Sequence, residues 1–132
     1  MKRTAFLLAM LALTACGDST GPADVAGVYT LRTVDGQQLP AVILGDEFTS
    51  GSLSLGSNGT FSFTFTLTPA GGLRETHLAS GTFTVTDLAL SFLITHVNGV
   101  ALGAPGRMAG SYGDGTISIT DAEGKVFVFG RS

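Results

Sequence analysis

Nine consecutive residues, Thr60-Phe61-Ser62-Phe63-Thr64-Phe65-Thr66-Leu67-Thr68, alternate without a break between an apolar side chain and a hydroxyl. An extended strand sends successive side chains to opposite faces, so it sorts this run into one dry face and one wet face. A helix would scatter the rings around its whole circumference. The same alternation returns in Thr82-Phe83-Thr84-Val85-Thr86, at Leu88, Leu90, Phe92 and Ile94, and at Ile117 and Ile119 within Thr116-Ile117-Ser118-Ile119-Thr120. Turn chemistry separates these stretches: Asp35-Gly36, Asn58-Gly59, Ala70-Gly71-Gly72, Asn98-Gly99, Gly113-Asp114-Gly115 and Glu123-Gly124. The pattern predicts strands near 26–34, 39–44, 50–56, 59–68, 74–86, 88–95, 107–112, 115–120 and 125–130, with a loop at 97–106. No helix is expected beyond the first residues of the chain.

Short antiparallel strands with half-buried faces need a partner layer or closure on themselves. The chain therefore reads as all-β: a small antiparallel up-and-down barrel of about eight or nine strands, which leaves no sticky edge. A β-sandwich is the alternative. One motif occurs three times, Gly59-Thr60-Phe61-Ser62-Phe63, Gly81-Thr82-Phe83-Thr84-Val85 and Gly115-Thr116-Ile117-Ser118-Ile119. Its spacing is irregular, which suits a meander better than a solenoid. Gly27-Val28-Tyr29-Thr30-Leu31, followed by Asp35-Gly36 and Leu39-Pro40, resembles the first strand of small lipocalin-like bacterial domains, with Tyr29 at the position of the usual Trp. The resemblance implies that Arg131, just after Phe127-Val128-Phe129-Gly130, packs over the Tyr29 ring. It also implies an interior that holds a ligand.

The N-terminus carries a different signal. Lys2 and Arg3 precede the apolar run Ala5-Phe6-Leu7-Leu8-Ala9-Met10-Leu11-Ala12-Leu13. That run is about half of the ~20 residues that span a bilayer, so it reads as an export signal and not as an anchor. Leu13-Thr14-Ala15-Cys16 resembles the lipobox of bacterial lipoproteins. The resemblance implies that residues 1–15 are removed and that Cys16 is lipidated. Gly17 in place of Asp favours the outer membrane, on its periplasmic or outer face. An ordinary secretory signal followed by a chance cysteine is the other reading. Residues 16–24, with Asp18-Ser19-Thr20-Gly21-Pro22, then form a short polar tether, and the barrel domain occupies 25–132.

Charge and cysteine content narrow the functions. Lys2 and Arg3 fall in the leader, so the rest of the chain has five basic against ten acidic residues, a net charge of −5. Such a surface repels phosphate backbones and anionic lipid, so no nucleic-acid partner is expected, and the lipid is the expected membrane attachment. Cys16 is the single cysteine, so neither an internal disulfide nor a cysteine metal cluster can form. No phosphate loop, Gly-x-Ser-x-Gly or His-Glu-x-x-His is present, and no enzyme or cofactor is implied. Asp35, Asp46, Asp87, Asp114, Asp121 and Glu123 fall mainly in turns, where local hydrogen bonding explains them.

Two constellations stand out. If alternation holds along 74–86 and 88–95, Glu75, His77 and His96 all face inward. A two-residue turn at Thr86-Asp87 sets His77 opposite His96, and a turn at Asp87-Leu88 moves His96 opposite Ala79, still diagonal to His77. With Glu75 the pair could bind a metal such as Zn²⁺. The competing reading is a wet rim, or a bulge at Gly81 that breaks the alternation. The second constellation is the phenylalanine set, Phe48, Phe61, Phe63, Phe65, Phe83, Phe92, Phe127 and Phe129. These rings either fill a small barrel or line a pocket for a small hydrophobic ligand. In the second case Tyr29, Phe61, Phe63, Phe65, Phe83 and Phe92 are the candidate ligand residues. Val126-Phe127-Val128-Phe129 is apolar on both faces, which raises the alternative of a non-catalytic interaction module of the cell envelope with a filled core. The sequence names no protein partner.

Overall fold

A computed structural model describes residues 21–132. The leader, the lipobox, Cys16 and the tether up to Thr20 lie outside the described residues. After a one-turn helix α1 (Pro22–Val25) come ten strands: β1 (Gly27–Val34), β2 (Gln37–Gln38), β3 (Ala41–Ile43), β4 (Asp46–Leu55), β5 (Thr60–Thr68), β6 (Glu75–Thr86), β7 (Ala89–Val97), β8 (Val100–Gly113), β9 (Thr116–Thr120) and β10 (Val126–Arg131). β4 to β10 form a meander in which each strand pairs with the next. β1 then pairs with both β10 and β4, which closes an antiparallel barrel of eight strands. This is the expected up-and-down barrel, and it is consistent with a small lipocalin-like one. β2 and β3 are short additions beside β1 and β4.

The alternation read from the sequence decides which residues enter the barrel. Phe61, Phe63 and Leu67 are buried on β5, as are Phe83 on β6, Leu90 and Phe92 on β7, and Ile117 and Ile119 on β9. On β10, Phe127 and Phe129 point inward, and Val126 and Val128 are half-buried on the other side.

Two expectations about local structure need correction. The stretch 97–106 is not a loop. Asn98 and Gly99 both have positive φ, 51° and 81°, which is the two-residue turn that matches strand twist. Pairing therefore resumes at once, with Val97 opposite Val100 and His96 opposite Ala101. The next matched pair is Ile94 with Gly106, so Leu102 to Pro105 bulge out of a strand that continues past them. A helix is also present where none was expected. Pro22 presets the backbone at its start, the Gly21 N–H donates to the Asp24 carboxylate at 2.8 Å, and Val25 ends the turn fully buried. The boundary expected at Val25 falls at the end of this helix.

α1 plugs one end of the barrel, called the base below. The Tyr29 hydroxyl, inside the barrel, donates to the Val25 carbonyl at 2.6 Å. The Arg131 guanidinium carbon lies 4.9 Å from the centre of the Tyr29 ring, and one terminal nitrogen donates to the Tyr29 hydroxyl at 2.8 Å. The other donates to the Ala26 carbonyl at 3.2 Å. The Arg131 packing implied by the lipocalin resemblance is thus present, and it ties the last strand to the start of β1. Burial raises the Tyr29 phenol above its ordinary value, and the Arg131 charge partly opposes the rise.

Candidate functional site

The two halves of the barrel are filled differently. Near the base, Phe92 meets Phe61 edge-on at 5.0 Å between ring centres and Phe83 at 5.9 Å. Phe92 and Tyr29 are fully buried there, together with Leu53 and Ile117. At the opposite end the rings leave a cavity of about 400 Å³. Its wall comes from Phe48 of β4, Phe63, Phe65 and Leu67 of β5, Ala79 of β6, Ile94 of β7, Met108 of β8 and Phe127 of β10. Asp46 and the β9–β10 loop residues Asp121, Ala122, Glu123 and Lys125 frame its mouth.

Inward side chains of different size produce this division. Each of β4, β5, β7 and β10 brings a large residue to the base. At the level of the cavity, β6 offers Ala79 opposite Phe63, and β8 offers Gly106 opposite Ile94. Small residues facing rings leave space that the rings on the other side cannot reach. Phe63 holds the floor, edge-on to Phe127 and Phe129 at 5.3 Å each. Phe65 stands higher, tilted against Phe48 at 5.9 Å and stacked on the His77 ring at 5.3 Å.

Of the six residues proposed from sequence to contact a ligand, Phe63 and Phe65 line the cavity. Tyr29, Phe61, Phe83 and Phe92 lie in the packed base, so the phenylalanines fill one half of the barrel and wall a cavity in the other. Phe48 and Phe127 belong to the cavity wall and were not among the six. Phe48 was missed because β4 begins at Asp46, four residues before the strand expected there. Phe127 was missed because a strand apolar at every position gives no sign of which face is inside.

The histidine pair does not form. β6 and β7 turn at Asp87-Leu88, which pairs Val85 with Leu90. Thr95 is then an extra residue on β7, between the pairs Gly81–Ile94 and Ser80–His96. The bulge sends His96 to the outer face, where its Nδ1 lies 2.9 Å from the Thr95 hydroxyl. His77 faces inward opposite Phe65, and its Nε2 lies 2.8 Å from the Glu75 carboxylate. Among the described residues no group of three His, Cys, Asp or Glu side chains could hold a metal ion.

The mouth carries charge. The Lys125 ammonium donates to Glu123 at 2.6 Å and lies 3.8 Å from the second oxygen of Asp121. The other oxygen of Asp121 accepts the backbone N–H groups of Glu123 and Lys125, both at 2.9 Å. These bonds shape the β9–β10 loop. The hydrogen bond to Glu123 keeps Lys125 protonated above its ordinary value, and Lys125 lowers the Glu123 carboxyl in turn. The turns around the mouth also display Leu44, Leu73 and Val100, which are 95%, 86% and 66% exposed. The ideal Cβ position of Gly45, beside Leu44, lies 3.2 Å from the Ala70 methyl, so the β3–β4 and β5–β6 turns touch.

Fold and site together define a closed eight-stranded β-barrel, packed at its base and hollow at its mouth. Comparison with protein-family models, curated proteins and solved structures finds no match for the chain.

Proposed function

We propose that this protein is a binding protein for a small hydrophobic ligand, held at the bacterial cell envelope by a lipid on Cys16. The observation that carries the binding function is the 400 Å³ cavity walled by Phe48, Phe63, Phe65, Leu67, Ile94, Met108 and Phe127. Its size falls within the range of small-molecule pockets, and apolar walls with a few polar groups at the opening are what such pockets share. Burial of an apolar ligand there is worth about 25 cal/mol per Å² of surface removed from water.

The test is binding of N-phenyl-1-naphthylamine, whose fluorescence rises in apolar surroundings. The full chain is expected to bind it saturably, and Ala79→Phe is expected to weaken binding about tenfold or more, because a ring at that inward position fills the cavity. The unfolding midpoint of Ala79→Phe checks that the barrel persists. Absence of saturable binding by the full chain overturns the function.

The anchoring rests on the lipobox-like Leu13-Thr14-Ala15-Cys16 and on the acidic charge of the rest of the chain, which offers no electrostatic attachment. On this reading the protein sits on the outer membrane. Cys16→Ser is expected to move it from the membrane fraction to the soluble fraction and to abolish incorporation of labelled fatty acid. Persistence of either signal in the variant would disprove lipidation at Cys16.

A further inference from the structure

The charges at the mouth are not equivalent. Lys125 is paired with Glu123 and lies close to Asp121, and Asp121 is also bound to two backbone N–H groups. Arg107 also borders the cavity, but it lies on β8 between Gly106 and Met108, whose β7 partners Ile94 and Phe92 face inward. Its side chain therefore leaves on the outer side of the strand and is exposed. Asp46 differs from all of these. It lies two residues before the buried Phe48, on a stretch of β4 whose register is unbroken, so it shares the inward face. It is half-buried and lines the cavity. Among the described residues its carboxylate has no ion pair and no hydrogen bond. An apolar cavity thus opens past one inward-facing carboxylate without a partner, while Lys125 is already paired and Arg107, though it borders the cavity, is exposed on the outer side of β8.

We propose that the ligand of this cavity is an apolar molecule bearing a positively charged amine head, which Asp46 receives at the mouth while the apolar body lies among the phenylalanines. The proposal rests on the binding function above and names the ligand class. A carboxylate head would meet Asp46 as a like charge and would have to displace Glu123 from Lys125 or draw the exposed Arg107 inward, so an anionic ligand is disfavoured.

Three ligands of one shape and different charge test it: 2-naphthylmethylamine, 2-naphthylmethanol and 2-naphthoate, each titrated into the full chain at pH 7 and low salt. The amine is expected to bind about three- to fivefold more tightly than the alcohol, the range for a partly exposed ion pair, and the naphthoate more weakly than both. The preference for the amine should shrink as salt is added. Asp46→Asn should remove this preference, so that amine and alcohol bind about equally. Glu47→Gln, which deletes the neighbouring carboxylate on the outer face, should leave it intact. An amine that binds no better than the alcohol, a naphthoate that binds best, or equal loss of preference in Glu47→Gln overturns the amine assignment while binding of a hydrophobic ligand stands. If none of the three binds while N-phenyl-1-naphthylamine does, the amine assignment is overturned and the binding function stands; if that probe also fails, both are overturned.

Discussion

Phe92→Ala is expected to destabilise the barrel by about 3–5 kcal/mol, the range for removing a buried aromatic ring. The Phe92 ring is fully buried and lies against Phe61 and Phe83. The eight strands are hydrogen-bonded into a closed cylinder, so neighbours cannot collapse into the space, and a void remains. Urea unfolding of the full chain followed by circular dichroism measures the loss. Phe65→Ala is the contrasting case. Phe65 is half-buried beside a cavity that already exists, so its removal forfeits mostly transfer energy, about 2 kcal/mol. Equal losses at the two positions would show that the mouth is packed as tightly as the base.

Gly81→Ala should be nearly as damaging, although it adds only one methyl group. A Cβ at Gly81 would run into the backbone carbonyl oxygen of Leu93, and would lie 3.0 Å from the Thr95 nitrogen. Neither is the mobile end of a side chain, so the backbone itself must shift. A cost of about 2–3 kcal/mol is expected, typical of overpacking at a site that cannot yield. Gly103→Ala in the β8 bulge meets nothing within 4 Å and should stay within about 0.5 kcal/mol of the parent. Urea midpoints of the two variants decide the matter. A neutral Gly81→Ala would mean that β6 and β7 are not held as closely as described.

The close approach at Gly81 also marks where sequence reasoning stopped working. Alternation along β5, β6, β7 and β9 was legible because each strand has one apolar face and one hydroxyl-rich face. The barrel follows from these faces, since each needs a neighbour on both sides. Strict alternation fails where an extra residue enters the ladder, and Thr95 is neither Gly nor Pro and looks like any other strand residue. Its insertion beside Gly81, where a bulge was the competing reading, turns His96 outward and away from His77. The stretch from Val97 to Gly106 misled in the opposite direction. Its glycines and Pro105 suggested a loop, but the Asn98-Gly99 turn is short enough to restart pairing at once. The cavity could not be read from the phenylalanines alone. It depends on which rings share a level of the barrel with Ala79 and Gly106, and that is a property of cross-strand register. The Arg131–Tyr29 contact was legible, but only through the lipocalin resemblance, because the two residues lie at opposite ends of the described chain.

The position of α1 gives the molecule a polarity. Pro22 lies beside Gly59, in the β4–β5 turn at the base, and β5 runs from that turn towards the mouth. Nine strand residues, tilted as barrel strands are, set the two ends roughly 20–25 Å apart. Any attachment made through residues upstream of Gly21 therefore grips this cup by its foot. Under the proposed anchoring, the opening would then face the aqueous side, away from the membrane. If the proposed anchoring and ligand binding both hold, the ligand would enter and leave through water or from a facing carrier, not by sliding sideways out of the lipid beneath.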